Sequence, residues 1–111
     1  PCVMLKGLRV HICKDLSFDA VEVINSAAFP FSLSTHLNRK MAVNLNLPQT
    51  GGSDAHYAPE IGFAYTLIDA EPKVDEIADA IKKGRTVPCG KAVPWRVRLE
   101  KEVLSLKRKL R

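Results

Sequence analysis

Short β-branched runs alternate with helical stripes along this chain, and proline or glycine separates them. Strands are predicted at 19–25, 49–55, 63–69 and 86–90, and helices at 33–45, at 73–83 and from Pro94 onward. This order is typical of an α/β fold, and most naturally of βα units on a mainly parallel sheet. The helices at 33–45 and 73–83 each carry one apolar face, so we expect both to cover a sheet.

The first helix has the plainest periodicity. Its apolar residues recur every four positions, at Leu33, Leu37, Met41 and Leu45. Ser32 or Ser34 is predicted to cap its first turn, since a serine oxygen accepts from an unpaired N–H there. Leu47-Pro48 ends it, because proline disfavours helix in the residue before it.

Composition limits the class of protein. A chain of 111 residues is long enough for one domain with one core, and 46% hydrophobic with 26% charged residues is ordinary for a globular protein. No apolar run approaches the ~20 residues that span a bilayer, so no membrane association is expected. The cysteines Cys2, Cys13 and Cys89 form no CxxC pair, which favours a reducing cytoplasm. Cys13 and Cys89 are expected to be small core residues.

Charge divides the chain into two regions. Residues 1–95 are neutral, whereas the last sixteen residues hold seven basic and two acidic side chains, which accounts for the whole net charge of +5. We therefore predict an α/β domain at 1–93 and a basic C-terminal helix at 94–111. A neutral body argues against a protein that binds nucleic acid over its whole surface.

The C-terminal helix also carries an apolar stripe, formed by Trp95, Leu99, Val103, Leu106 and Leu110. We expect this stripe to be buried, either on the body of the chain or against a second copy as a short coiled coil. A homo-oligomer is favoured. The basic face could contact the phosphates of nucleic acid, although a solvated helix face is the more common outcome. On this alternative interpretation the chain is a non-catalytic binding or assembly module.

The stretch QTGGSDAHYAPEIG, residues 49–62, carries the strongest chemical signal. If Gly52 to His56 is extended, Asp54 and His56 project to the same side, at the end of a strand. Ligands and metals bind at the carboxyl ends of strands in α/β folds, and this donor pair suits zinc, manganese or iron. The local alternative is a turn in which Ser53 or Asp54 acts as a cap and His56 is exposed.

Two polar residues belong to the first predicted strand. Asn25 ends this strand and is predicted to orient a metal ligand or bind phosphate, although a turn-forming role fits equally well. Glu22 lies in the middle of the strand, where a lone carboxylate needs a partner. Being three residues apart on a strand, the two are expected to face opposite sides.

Three segments together resemble a known family: DAVEVINS, then LPQTGGSDAHYAPEIGFAYT, then DEIADAIKKGRT. From about residue 19 to residue 86 the chain is similar to the C-terminal part of the PHP family, the polymerase and histidinol phosphatase domain. The resemblance implies a distorted seven-stranded (β/α) barrel that hydrolyses phosphate esters with a cluster of metal ions. It assigns metal binding to Asp54 and His56, and it includes Glu60 and Gly62 without giving either a chemical role.

The family's other metal ligands have no counterpart here. The chain has no H-x-H motif, and neither His11, in VHIC, nor His36, on the first predicted helix, is expected to be a ligand. The resemblance therefore implies the C-terminal part of a longer metal-dependent phosphoesterase that uses zinc, manganese, iron or magnesium. Its substrate would be a phosphate-ester small molecule or a nucleotide. The 111-residue chain alone is expected to be inactive.

Overall fold

A computed structural model describes residues 17–111. Its strands are β1 (Val21–Asn25), β2 (Gln49–Gly52), β3 (Ala64–Ile68) and β4 (Thr86–Gly90), and its helices are α1 (Phe31–Asn44), α2 (Val74–Lys82) and α3 (Trp95–Lys109). A 3-10 turn covers Ala58–Glu60. The predicted mixture and order of strands and helices is confirmed, with the ends of most elements shifted by one to three residues.

The parallel part of the prediction holds for β1 and β2. These strands pair in parallel, from Val21 beside Gln49 to Asn25 beside Gly52, and α1 makes the connection between them. α1 packs against β1, and the core joins Val23, Ile24, Ala42 and Ala64, with Val21 and Phe31 at its margin. This β1–α1–β2 unit is the frame of the candidate site.

The prediction of a mainly parallel sheet is wrong for the second half of the chain. β3 and β4 pair antiparallel, with Ala64 beside Gly90 and Ile68 beside Thr86. The physical reason lies in the connection. The segment that contains α2 leaves from Ile68 and returns at Thr86, which is the same end of the pair, so β4 can only run back along β3.

The hairpin of β3 and β4 meets β2 through side chains, not through a backbone ladder. Thr66 Oγ1 accepts from the N–H of Gly51 at 2.9 Å and donates to its carbonyl at 2.7 Å. Thr86 Oγ1 donates to the carbonyl of Gln49 at 2.7 Å. These bonds satisfy backbone groups of β2 that would otherwise lack partners on this side.

The apolar face of α1 differs from the prediction. The buried positions of α1 are Asn38 and Ala42, whereas Leu33 and Leu37 are about half exposed. The expected serine cap is also wrong, because α1 begins after Pro30 and has no side-chain cap. The helix rests on β1 through small residues, and its larger apolar side chains line a cleft beside the strand.

α3 forms as predicted, but its apolar stripe is not buried on the body. All five stripe residues are exposed, from 49% for Val103 to 86% for Leu110. The helix contacts the body through Arg98 and Lys101 instead. Docking of the stripe on the described part of the body, residues 17–94, is therefore wrong, and burial against a second copy stays a prediction.

Several predictions concern residues outside the part of the chain that the structure describes. Cys2, His11 and Cys13 lie there, so their roles are not addressed by the structure. Cys89, on β4, has a free and partly buried thiol, which fits the role of a small packing residue. No helix between residues 17 and 111 has the length and apolar character needed to cross a membrane.

Candidate functional site

The carboxyl ends of β1 and β2 form the candidate site. Because the two strands are parallel and Asn25 pairs with Gly52, the segments that follow them leave the sheet side by side. The first of these segments begins at Ser26, and the second carries Asp54 and His56. Such an edge of a parallel sheet is where α/β proteins place ligands.

Glu22 and Asn25 share a side of β1, contrary to the prediction that they face opposite sides. The register shifts between Glu22 and Ile24, so Val23 is an additional residue in the ladder. This bulge turns the next side chains by one position. As a result Asn25 Nδ2 donates to Glu22 Oε1 at 2.9 Å, which gives the carboxylate the partner that its position in the strand requires.

Gly52 makes room for this arrangement. A Cβ atom at residue 52 would lie 2.8 Å from Glu22 Oε2, so any side chain there would displace the carboxylate. The absence of a side chain in β2 thus allows Glu22 to lie over the strand and to reach Asn25.

Asp54 takes its position from its backbone. β2 ends at Gly52 and Asp54 has φ of +49°, in the left-handed region, so the extended path predicted for Gly52 to His56 is wrong. Aspartate tolerates this conformation better than most residues. Asp54 Oδ2 accepts a hydrogen bond of 3.2 Å from Asn25 Nδ2, so Asn25 bridges the carboxylates of Glu22 and Asp54.

His56 lies beside Asp54 although the segment is not extended. His56 Nδ1 is 2.9 Å from the backbone carbonyl oxygen of Asp54 and 3.9 Å from Asp54 Oδ1. A neutral imidazole that donates from Nδ1 to a carbonyl has an unprotonated Nε2, which is the form that binds a metal ion. Both side chains are exposed enough to be reached by an ion from solution.

Within the part of the chain that the structure describes, Asp54 and His56 do not belong to a larger cluster of metal-binding side chains. Between residues 17 and 111, no three His, Cys, Asp or Glu side chains are placed to hold a metal ion together. His36 lies on α1 with its side chain exposed. A metal ion held by Asp54 and His56 would need further donors to complete its coordination shell.

Glu60 has a structural role that the sequence did not indicate. The residue is 4% exposed, and Oε2 accepts from the N–H groups of His56 at 2.9 Å and Tyr57 at 3.1 Å. Burial by itself raises the pKa of this carboxyl, but the bonds from His56 and Tyr57 and the ammonium of Lys101 outweigh it and lower the pKa below its ordinary value. Glu60 is therefore ionised and holds the loop that carries His56.

α3 holds both loops of the site. Lys101 Nζ donates to Glu60 Oε1 at 3.0 Å, which fixes the loop after β2. Arg98 Nη2 donates to the carbonyl of Ser26 at 3.2 Å, which fixes the loop after β1. Arg98 Nε donates to the carbonyl of Val93, just before α3, at 3.3 Å. The glutamate could have been found in the sequence as the carboxylate four residues after His56, but its cation, 41 positions further on, could not.

A cleft of about 290 Å³ lies next to the candidate donors, between β1 and α1. Its polar residues include Glu22, Asn25 and Asp54, and much of the remaining wall is apolar, with Phe29, Leu33, Leu37 and Met41. The cleft thus joins carboxylate oxygens to an apolar surface, a combination that is common in small-molecule sites.

Comparison with known proteins agrees with the sequence motifs. Residues 36–86 match the model of a family described as PHP-associated, which confirms the resemblance to the C-terminal part of the PHP family over this segment. The match includes Asp54, His56 and Glu60 and begins after Glu22 and Asn25. No curated protein and no solved structure matches the chain.

Proposed function

We propose that this chain contributes Asp54 and His56 to a divalent-metal centre that hydrolyses phosphate esters. The observation that carries the proposal is the 2.9 Å contact between His56 Nδ1 and the backbone carbonyl of Asp54, which turns Nδ1 toward Asp54 and leaves Nε2 as the ring nitrogen for a metal ion. The PHP-associated match over residues 36–86 adds support, because it contains both donors.

Each polar residue has a separate role in this proposal. Asp54 provides a carboxylate oxygen and His56 provides a neutral ring nitrogen, a mixed set that suits zinc, manganese or iron better than magnesium. Asn25 positions the Asp54 carboxylate through its hydrogen bond to Oδ2. When bound, the metal ion would supply Lewis acidity and lower the pKa of a water molecule for attack on phosphorus.

Glu60 and Lys101 act on the same centre from a distance. The Glu60 carboxylate is not assigned as a metal ligand, because its oxygens already accept hydrogen bonds from the N–H groups of His56 and Tyr57 and from the ammonium group of Lys101. It positions His56 by holding the backbone of that loop. The cleft beside Glu22 would take the organic part of a phosphate-ester small molecule or nucleotide.

Two ligands hold a metal ion weakly, because affinity rises with the number of ligands and their preorganisation. We therefore assign the full activity to a longer protein of (β/α) barrel type that supplies the remaining ligands. The present chain by itself would bind the ion without appreciable turnover.

Nuclear magnetic resonance of the histidine rings tests the proposal. The chain has three histidines, and substoichiometric manganese should broaden the ring signals of His56 before those of His11 and His36. Asp54→Ala should remove this preference. Equal broadening of all three rings, or broadening at His56 that persists in Asp54→Ala, would contradict the assigned pair.

A further inference from the structure

Four apolar residues form what we call the α3 seam: Leu99, Val103 and Leu106 on the outer face of α3, and Leu110 at its C-cap. Their spacing of four, three and four residues is that of alternating d and a positions in a heptad repeat. All four are exposed, with values between 49% and 86%. A helix with this spacing normally buries these positions against another helix.

The contacts of α3 with the body fix the direction of the seam. Arg98 and Lys101, which bond to Ser26 and Glu60, lie at heptad positions c and f, on the side of the helix away from the a and d positions. The body therefore holds α3 by its polar side and presents the seam outward. Because α3 is already folded against the body, binding a partner does not carry the entropy cost of forming the helix.

The charged residues on the two flanks of the α3 seam follow a regular order along the helix. Glu100 and Lys107 are seven residues apart on one flank, at position e, and Glu102 and Lys109 are seven residues apart on the other flank, at position g. Each flank is thus acidic toward the start of the helix and basic toward its end. Such a pattern is complementary to itself when the helix direction is reversed.

We propose that the α3 seams of two copies of this chain pair antiparallel. In this arrangement Leu99 packs against Leu110 of the second copy, and Val103 packs against Leu106 of the second copy. The two-fold axis repeats both layers, so four apolar layers form.

The flanking charges favour this direction over the parallel one. In an antiparallel pair each flank meets the same flank of the other copy, so Glu100 meets Lys107 and Glu102 meets Lys109, each twice. In a parallel pair the opposite flanks meet, so only Glu102 and Lys107 are matched, while Glu100 faces Trp95. The antiparallel pair therefore gains four ion pairs and the parallel pair two. Four layers make a small interface, and we expect a reversible dimer whose population depends on concentration.

Sedimentation equilibrium of the whole chain with charge-reversed variants tests the surface and its direction together. Glu100→Lys should weaken the dimer by roughly tenfold, because two attractive pairs become repulsive. Lys107→Glu should weaken it similarly, and the double variant Glu100→Lys/Lys107→Glu should restore it. A parallel pair predicts otherwise: Glu100→Lys would have no effect, and the double variant would stay as weak as Lys107→Glu.

Leu106→Asp provides the matched test of the apolar layers. It should abolish the dimer, while circular dichroism shows an unchanged helix content, since the Leu106 side chain is 58% exposed on the single chain. A wild-type chain that is monomeric at its highest soluble concentration would overturn the proposal. A dimer that persists in Leu106→Asp, or that does not respond to Glu100→Lys, would also overturn it.

Discussion

Lys101 Nζ lies 3.0 Å from Glu60 Oε1 and 3.3 Å from Glu60 Oε2, and this ion pair connects the C-terminal helix with the loop of the candidate donors. Glu60 is buried and uses the same carboxylate to hold the N–H groups of His56 and Tyr57. The basic helix is therefore part of the structure around the site, and its charge is not only a surface property.

Replacing the cation of this pair should destabilise the chain. Lys101→Met keeps most of the aliphatic stem but leaves a buried carboxylate without its ammonium partner. The expected loss in the free energy of unfolding is about 1–2 kcal/mol, less than for a fully buried pair because Lys101 is partly exposed. Urea denaturation measures it. Lys40→Met, on the exposed side of α1, is the control and should change little; equal effects of the two variants would contradict the assigned role.

The pH dependence of stability should reveal Glu60. Its pKa is lower in the fold than the ordinary value of 4.5, so its contribution is fully present above that pH and is lost as the pH falls through the folded value. Glu60→Gln should therefore be less stable than wild type at neutral pH, and the gap should narrow in acid. Asp79, whose pKa is lowered chiefly by its hydrogen bond with Lys83, is common to both proteins and cancels in the difference. Melting temperatures of wild type and Glu60→Gln, measured from neutral pH down into acid, test the prediction. A difference between the two proteins that stays constant with pH would contradict it.

Local patterns were sufficient for the elements but not for their pairing. The apolar stretches and their proline and glycine boundaries located all the described strands and helices, because those signals act over a few residues. The direction of β4 depends on where the connection through α2 ends, which no local pattern states. The parallel prediction failed there for this reason.

In the candidate site too, local features were predicted from the sequence, and features that depend on the three-dimensional fold were missed. Asp54 and His56 were predicted as a pair because they are two positions apart in the sequence. They do lie side by side, but a left-handed residue brings them together and not an extended strand. The bond between Glu22 and Asn25 was missed because a bulge changes which side chains share a face. The partner of Glu60 was missed because it comes from a distant helix.

Asn25 should prove necessary as a donor between two carboxylates. Asn25→Asp keeps the shape and the acceptor for the N–H of Ala27 but replaces the shared Nδ2 donor with a third negative charge. We expect a loss of about 1–2 kcal/mol in the free energy of unfolding in the absence of divalent ions. In the double variant Glu22→Gln/Asn25→Asp, the amide introduced at position 22 restores a hydrogen-bond donor. The double variant should therefore recover part of the lost stability. Thermal melts in chelator test both, and an unchanged melting temperature for Asn25→Asp would show that the bridge is unimportant.

The chain alone should lack appreciable phosphatase activity. Asp54 and His56 would supply only two ligands, and the part of the chain between residues 17 and 111 offers no three-residue metal cluster. Hydrolysis of p-nitrophenyl phosphate with added manganese should remain at the level of the buffer. Turnover that disappears in Asp54→Ala would show that the chain holds a complete centre.

Calorimetric titration with zinc tests the central claim most directly. Thiolates also bind zinc, so Cys2, Cys13 and Cys89 are replaced by serine in every variant. We predict that His56→Ala and Asp54→Ala each weaken zinc binding by about tenfold or more, since each removes a direct ligand. His36→Ala, which alters an exposed histidine on α1, should leave the affinity unchanged. Equal zinc affinity in the cysteine-free parent chain and in its His56→Ala and Asp54→Ala variants would contradict the metal centre proposed here.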